Sequence, residues 1–190
     1  MHSYGVDDMA PLTMVCIASG PSLTRSDCLL AVKSGYPIIA VNSSWRLVPE
    51  CSYLFAADFA WWDKYHGLLD IPAERWTASP RAQTHYGLNL FVPGDAGSFN
   101  SGQRAIQLAE YLGARRVILL GYDCSLDNGL HWHGEHPDKM HNPTYHEVER
   151  WQREFAALNK NFPEVEIINC SRRTALTCFP KNIPENLFHA

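Results

Sequence analysis

The sequence predicts an α/β fold, a mainly parallel sheet with helices on both faces, in one domain over residues 1–190. Three observations predict it. Short β-rich apolar runs alternate with segments whose apolar residues recur at helical spacing, as expected of strands joined by crossover helices. The runs are continuously apolar, which suits strands covered on both faces. The clearest of them end in Ser19, Asn42, Asp58, Asp123 and Asn169, small polar residues that mark where strand gives way to loop. In a parallel sheet with right-handed crossovers these ends share one rim. Ligands of open α/β sheets bind at that rim. The predicted architecture is Rossmann-like.

Residues 1–11 read as a loose lead-in, with no basic stretch before an apolar core and hence no signal peptide. Leu12 to Ala18 is the first strand. It runs into the turn Ser19-Gly20-Pro21-Ser22-Leu23 and then a helix from Arg25 to Val32. Pro37 to Val41 and Tyr53 to Ala57 are further strands, and Phe59 to Leu69, with Trp61 and Trp62, is a helix or a segment capping the rim. Trp76 to Ala78 and Leu88 to Val92 are weaker strands, and Pro93 to Phe99 is a Gly-rich loop. Asn100-Ser101-Gly102 is a helix start, because Asn and Ser accept bonds from first-turn N–H groups. Ala105, Ile106, Leu108, Ala109 and Leu112 carry that helix to Gly113, a residue suited to the left-handed stop. Val117 to Leu120 is a buried strand that ends in Gly121-Tyr122-Asp123. An irregular loop through Asn142 follows, then a helix from Glu147 to Leu158. Val165 to Ile168 is the last strand, and residues 172–190 form a C-terminal surface wrap.

A net charge of -4 gives no generally basic surface for nucleic acid, and no apolar run reaches membrane-spanning length. Six scattered cysteines without a CxxC pair argue against a zinc ribbon and a disulfide scaffold. A reducing, cytoplasmic setting fits them, with Cys16 and Cys170 as small core residues. The oligomeric state stays open, a homo-oligomer included.

Two features carry chemistry. The first is the polar rim, whose short hydrogen-bonding side chains suit a ligand rich in hydroxyls and ring nitrogens, such as a nucleotide. Such residues also follow strands simply because they cap helices. The turn Ser19 to Leu23 precedes a helix, where backbone amides and the dipole favour phosphate. It is neither a full GxGxxG nor a Walker A, and an ordinary strand-to-helix turn is the competing reading. The second feature is His131-Trp132-His133-Gly134-Glu135-His136-Pro137, with His141 and His146 beyond it. One imidazole could serve as a general base at neutral pH. The histidines could instead hold a metal with Asp123 or Glu135, or make structural hydrogen bonds. Tyr122 and Tyr145 could donate to a leaving phosphate, although packing with the hydroxyl in water is the expected fate of Tyr122. Arg46, Arg104, Arg172 and Arg173 could also meet a phosphate.

These runs carry a resemblance. Ile17-Ala18-Ser19-Gly20-Pro21-Ser22-Leu23 resembles the GxGPSL turn of bacterial CMP-sialic-acid-dependent sialyltransferases, and of the related motility accessory factor and hydroxymethylpterin pyrophosphokinase-like group. Asn42 matches the Asn closing their second strand. Ser101-Gly102, the following Ala-rich helix and Leu119-Leu120-Gly121-Tyr122-Asp123 resemble their SG…ALG…LxGxD segment. The whole sequence also resembles small proteins of tailed bacteriophages with the same GPSL, NSG and HWHG-HP runs, which would place it in the bacterial host cytoplasm. The resemblance implies glycosyl transfer from a nucleotide-sugar, CMP-linked in the sialyltransferases, with no required cofactor and no metal. His136 or His133, with His131 beside them, would take the proton of the acceptor hydroxyl; the acceptor itself is unspecified. Amides at Ser19-Gly20, in the turn completed by Pro21 and Ser22, and at the Asn100-Ser101-Gly102 helix start would hold the phosphate. Asn42, Asp58 and Asp123, with Gly121 beside it, would orient base, ribose or sugar. Alternatives are an ATP-dependent pyrophosphokinase using Mg2+ on Asp58, Asp123 and Asp127, a non-catalytic protein sequestering a host signalling nucleotide, and a metallohydrolase using the histidine loop.

Overall fold

Thr13–Ile17 forms strand β1, buried along its whole length, as the apolar run from Met14 to Ile17 requires. The computed structural model that shows this describes residues 11–94, 100–125 and 145–188. Helix α1, Arg25–Ser34, starts where the Thr24 side chain accepts the Asp27 N–H and stops at Gly35 with φ 79°. Strand β2 is Ile38–Val41 and β3 is Tyr53–Phe55. Helix α2, Phe59–Tyr65, ends in a 3-10 turn over His66–Leu68, so the segment expected as one stretch to Leu69 is two pieces. Strand β4 is Glu74–Thr77, α3 is Pro80–Tyr86 and β5 is the two-residue Asn89–Leu90. Helix α4, Ser101–Tyr111, is followed by β6, Arg116–Leu120. Helix α5, Tyr145–Asn161, β7, Glu166–Asn169, and the one-turn α6, Pro184–Leu187, complete the described elements.

The seven strands lie in the order β5-β4-β3-β2-β1-β6-β7, and every neighbouring pair is parallel. The chain steps outward from β1 to β5, then returns to the other side of β1 with β6. The switch point therefore lies between β1 and β6, where Val15 stands opposite Ile118 and Ile17 opposite Leu120. Alternate residues of each strand face opposite layers. Val15, Ile17, Ala40 and Leu54 pack with Cys28 and Ala31 of α1 and with Trp61 and Trp62 of α2. Met14, Cys16, Ile39 and Phe55 pack with Ala105, Ile106 and Ala109 of α4 and with Phe155 and Leu158 of α5. Helices thus cover both faces, as predicted. Cys16 and Cys170 are both fully buried among these layers.

The C-terminal stretch does more than wrap the surface. Leu176, Phe179, Pro184 and Phe188 are buried. The Asn169 N–H donates to Pro180 O at 2.8 Å, and Asn182 N–H to Asn169 O at 3.1 Å. The cause is the edge of the sheet. Strand β7 would expose a row of unpaired backbone groups, and the tail covers it.

Candidate functional site

The C-terminal ends of the strands meet three short segments at the switch point, where open α/β sheets have their ligand crevice. The first is the turn after β1. Gly20 N–H donates to Gly121 O at 2.8 Å, which ties it to the end of β6. Two glycines permit that approach. A Cβ on Gly20 would lie 2.3 Å from Asp123 Oδ1, and one on Gly121, whose φ is 73°, would lie 2.4 Å from Ala18 O. Asp123 then accepts the Ser22 N–H at 2.8 Å and the Ser22 hydroxyl at 2.7 Å. Asp123 is 4 % exposed as a residue, and burial raises its pKa against the pull of those two bonds. Asp123 therefore holds the turn in shape.

The second segment is the first turn of α4. Asn100 Oδ1 accepts the Gln103 N–H at 2.8 Å, and Gln103 Oε1 accepts the Asn100 N–H at 2.9 Å, a reciprocal cap. Ser101 Oγ accepts the Ala57 N–H at 3.2 Å, just past β3. Tyr122 donates its hydroxyl to Gly102 O at 2.9 Å, just past β6. The turn thus reaches across the rim from the end of β3 to the end of β6, and α4 packs over β2 and β1 between them. The amides of Ser101 and Gly102 have no intrahelical acceptor, and the helix dipole adds partial positive charge there.

The third segment is residues 171–175, which follow β7. Tyr122 N–H donates to Ser171 Oγ at 2.8 Å, Thr174 Oγ1 to Tyr122 O at 2.7 Å, and Ala175 N–H to Asp123 O at 2.8 Å. Ser22 Oγ also lies 3.5 Å from Arg173 O. This segment closes the crevice on the β7 side.

No protein-family model and no curated protein sequence matches the chain. Among solved structures, the MAf glycosyltransferase from Magnetospirillum magneticum AMB-1 is similar, with a TM-score of 0.68 over 93% of this chain at 12% identity. The fold is shared. This chain spans 34% of that protein's length.

Ser19, Gly20, Pro21, Ser22, Asn100, Ser101, Gly102, Gly121 and Asp123 thus belong to segments that the structure brings together. Asn42 follows β2 on the same rim, half-buried, with φ 51°, and opens a 3-10 turn over Asn42–Arg46 that the sequence reading did not anticipate. Asp58 follows β3, exposed, and makes no cap bond with its side chain. His131, His133, His136, His141 and Asp127 lie outside the described residues, as does the Tyr145 side chain. The expectation for the Tyr122 hydroxyl is corrected: it is not in water but on Gly102 O, 2 % exposed, and burial pushes its pKa well up. Among the described residues, no group of three or more His, Cys, Asp or Glu side chains could hold a metal ion. No helix among them is long and apolar enough to cross a membrane.

The arginines separate. Arg172 donates to Asp27 at 2.8 and 2.7 Å and also to Glu185. Arg104 is buried and donates to Gln107 Oε1 at 2.9 Å. Arg46 lies over the rings of Tyr65 and Trp45, at 5.4 and 5.9 Å from their centroids. Arg173 is exposed at the crevice, with Asp123 as a charged neighbour. Sequence reasoning missed Gln103, Ser171 and Thr174. Gln103 had a signal, the Asn-x-x-Gln capping pattern. Ser171 and Thr174 had none, because their partner Tyr122 is 49 and 52 residues away.

Proposed function

We propose that the chain binds a nucleotide or nucleotide-sugar across the strand ends and catalyses glycosyl transfer of the sialyltransferase-like kind. The observation that carries this reading is the convergence of three segments from distant parts of the sequence at the switch point of a parallel sheet, where such folds take ligands. The shared fold with a protein described as a glycosyltransferase supports it. So does the run of GPSL and SG…GxD residues. In this mechanism His136 or His133 takes the proton from the acceptor hydroxyl. The acceptor oxygen bonds to the anomeric carbon as the bond to the phosphate oxygen breaks, and the nucleoside phosphate leaves with that electron pair.

The hydrogen bonds refine where the phosphate would sit. Gly20 N–H is given to Gly121 O and Ser22 N–H to Asp123, so the turn after β1 has fewer amides to offer than its sequence implies. The first turn of α4, where the Ser101 and Gly102 amides have no intrahelical acceptor, would be the better phosphate cradle. Asn42 and Asp58, which follow β2 and β3, would orient base or ribose. The pyrophosphokinase alternative needs carboxylates for Mg2+, and of its candidates Asp123 already accepts two bonds from Ser22. The test is turnover: His133→Ala and His136→Ala are assayed singly against a panel of CMP-, UDP- and GDP-sugars. Loss of at least about a hundredfold in one of them is expected of a lost general base. Unchanged rates in both would remove the base.

A further inference from the structure

Among the described residues, Arg173 is a rim cation without a hydrogen-bond or ion-pair partner, on a backbone that is held in place. Residues 171–175 are fixed by three hydrogen bonds to Tyr122 and Asp123. A fourth bond, from Asn169 Nδ2 to Thr174 Oγ1 at 3.1 Å, holds the same segment from β7. The two arginines in it diverge. Arg172 is locked to Asp27 of α1 and Glu185 of α6, on the tail side. Arg173 stands between Ser171 and Ala175, with its carbonyl near the Ser22 hydroxyl and its side chain exposed. Among the described residues its guanidinium has no hydrogen-bond or ion-pair partner. Asp123, the charged group beside it, already accepts both Ser22 bonds. A clamped backbone that carries an exposed, unpaired guanidinium is suited to an anionic ligand group, because the backbone is already ordered and only the side chain remains to be ordered on binding.

We infer that Arg173 is the residue that pairs with the phosphate of the bound ligand. This rests on the nucleotide reading above and adds to it a binding residue that sequence alone did not single out from four arginines. Arg173 acts in binding and needs no part in proton transfer. Its loss should raise KM and leave kcat nearly unchanged.

The test compares affinities for CMP, UMP, GMP and AMP with those for the matching nucleosides, in wild type, Arg173→Ala and Arg173→Lys, by calorimetry and thermal shift. A monophosphate that raises the wild-type melting temperature should bind about tenfold more tightly than its nucleoside through this contact. In Arg173→Ala that advantage should fall to within about twofold, while the nucleoside binds as in wild type; Arg173→Lys should keep part of it. Arg46→Ala is the control and should keep the full advantage. If Arg173→Ala retains the full phosphate advantage, the assignment of Arg173 is overturned and the nucleotide reading stands. If wild type binds none of these compounds, the nucleotide reading falls and the assignment with it. Arg173 is exposed and carries no packing load, so the variants should melt as wild type without ligand.

Discussion

At Gly20 there is no room for a side chain, since a Cβ would lie 2.3 Å from Asp123 Oδ1 and 2.5 Å from Gly121 O. The neighbours are a buried carboxylate and backbone, and neither can yield cheaply. Gly20→Ala should lower stability by about 1–3 kcal/mol in urea unfolding, as overpacking does. Gly67→Ala, with nothing within 4 Å of its Cβ, is the control and should leave the midpoint near wild type. The same scale governs the thiols. Burial pushes Cys16, Cys28 and Cys51 up to about 12. Between the ordinary thiol value near 8.5 and that figure, the folded state keeps protons the unfolded chain has released. Stability should therefore fall as pH rises through that window. In the native protein these three should resist iodoacetamide at pH 8, and all should alkylate in denaturant; labelling read by mass spectrometry checks this. Asp123 is the residue whose role the sequence left least legible. Its place at a strand end was readable, but its bond to Ser22 joins residues 101 apart, and no local pattern encodes that pairing.

The elements were legible where their own residues carry the reason for forming. Strand β2 and, after their first residues Thr13 and Arg116, β1 and β6 are continuous apolar runs because both of their faces are covered. Helix α4 announced its start through Asn100 and its buried face through Ala105, Ile106, Leu108 and Ala109. Helix α3 was missed. It is seven residues long and buries only Ala82, so it has no apolar stripe to find, although Ser79 and Pro80 at its start and Gly87 at its end are ordinary boundary signals. The 3-10 turn after β2 was hidden by Asn42, read as a rim residue and not as a left-handed start. The α4 cap yields a prediction that separates folding from binding. Asn100→Ala loses the bond to Gln103 N–H and should cost about 1 kcal/mol. If the first turn of α4 cradles the phosphate, the same variant should also weaken monophosphate affinity while leaving nucleoside affinity unchanged. Equal loss for both ligands would place the phosphate elsewhere.

Over the whole molecule, the tail joins the core to the crevice. Arg172 bonds to Asp27, whose side chain is 6% exposed, so removing the guanidinium leaves a buried carboxylate without its cation. Arg172→Ala should destabilise by about 2 kcal/mol or more, read as a lower urea midpoint with unchanged slope. Ending the chain after Ala175 removes Leu176, Phe179 and Phe188 from the core and bares β7. Such a chain should lose its cooperative melt and aggregate through that edge, which light scattering during heating would record. Fold class was readable because it depends on the order of the elements, and that order is in the sequence. The walls of the crevice were readable only as isolated strand ends, since which end meets which follows from the strand order β2-β1-β6-β7.

The crevice has one further consequence for how the protein comes into being. Its sides are contributed by the turn after β1, the start of α4, the end of β6 and residues 171–175, so the last side is made after the other three. A ribosome delivers the strands from β1 to β6 well before the segment that carries Arg173. A nascent chain at that stage has a sheet but an unfinished pocket, and it should ignore nucleotide in solution. If the site takes a nucleotide, only a chain folded with residues 171–175 in place would respond, and the response should slow amide exchange throughout the sheet, β5 included.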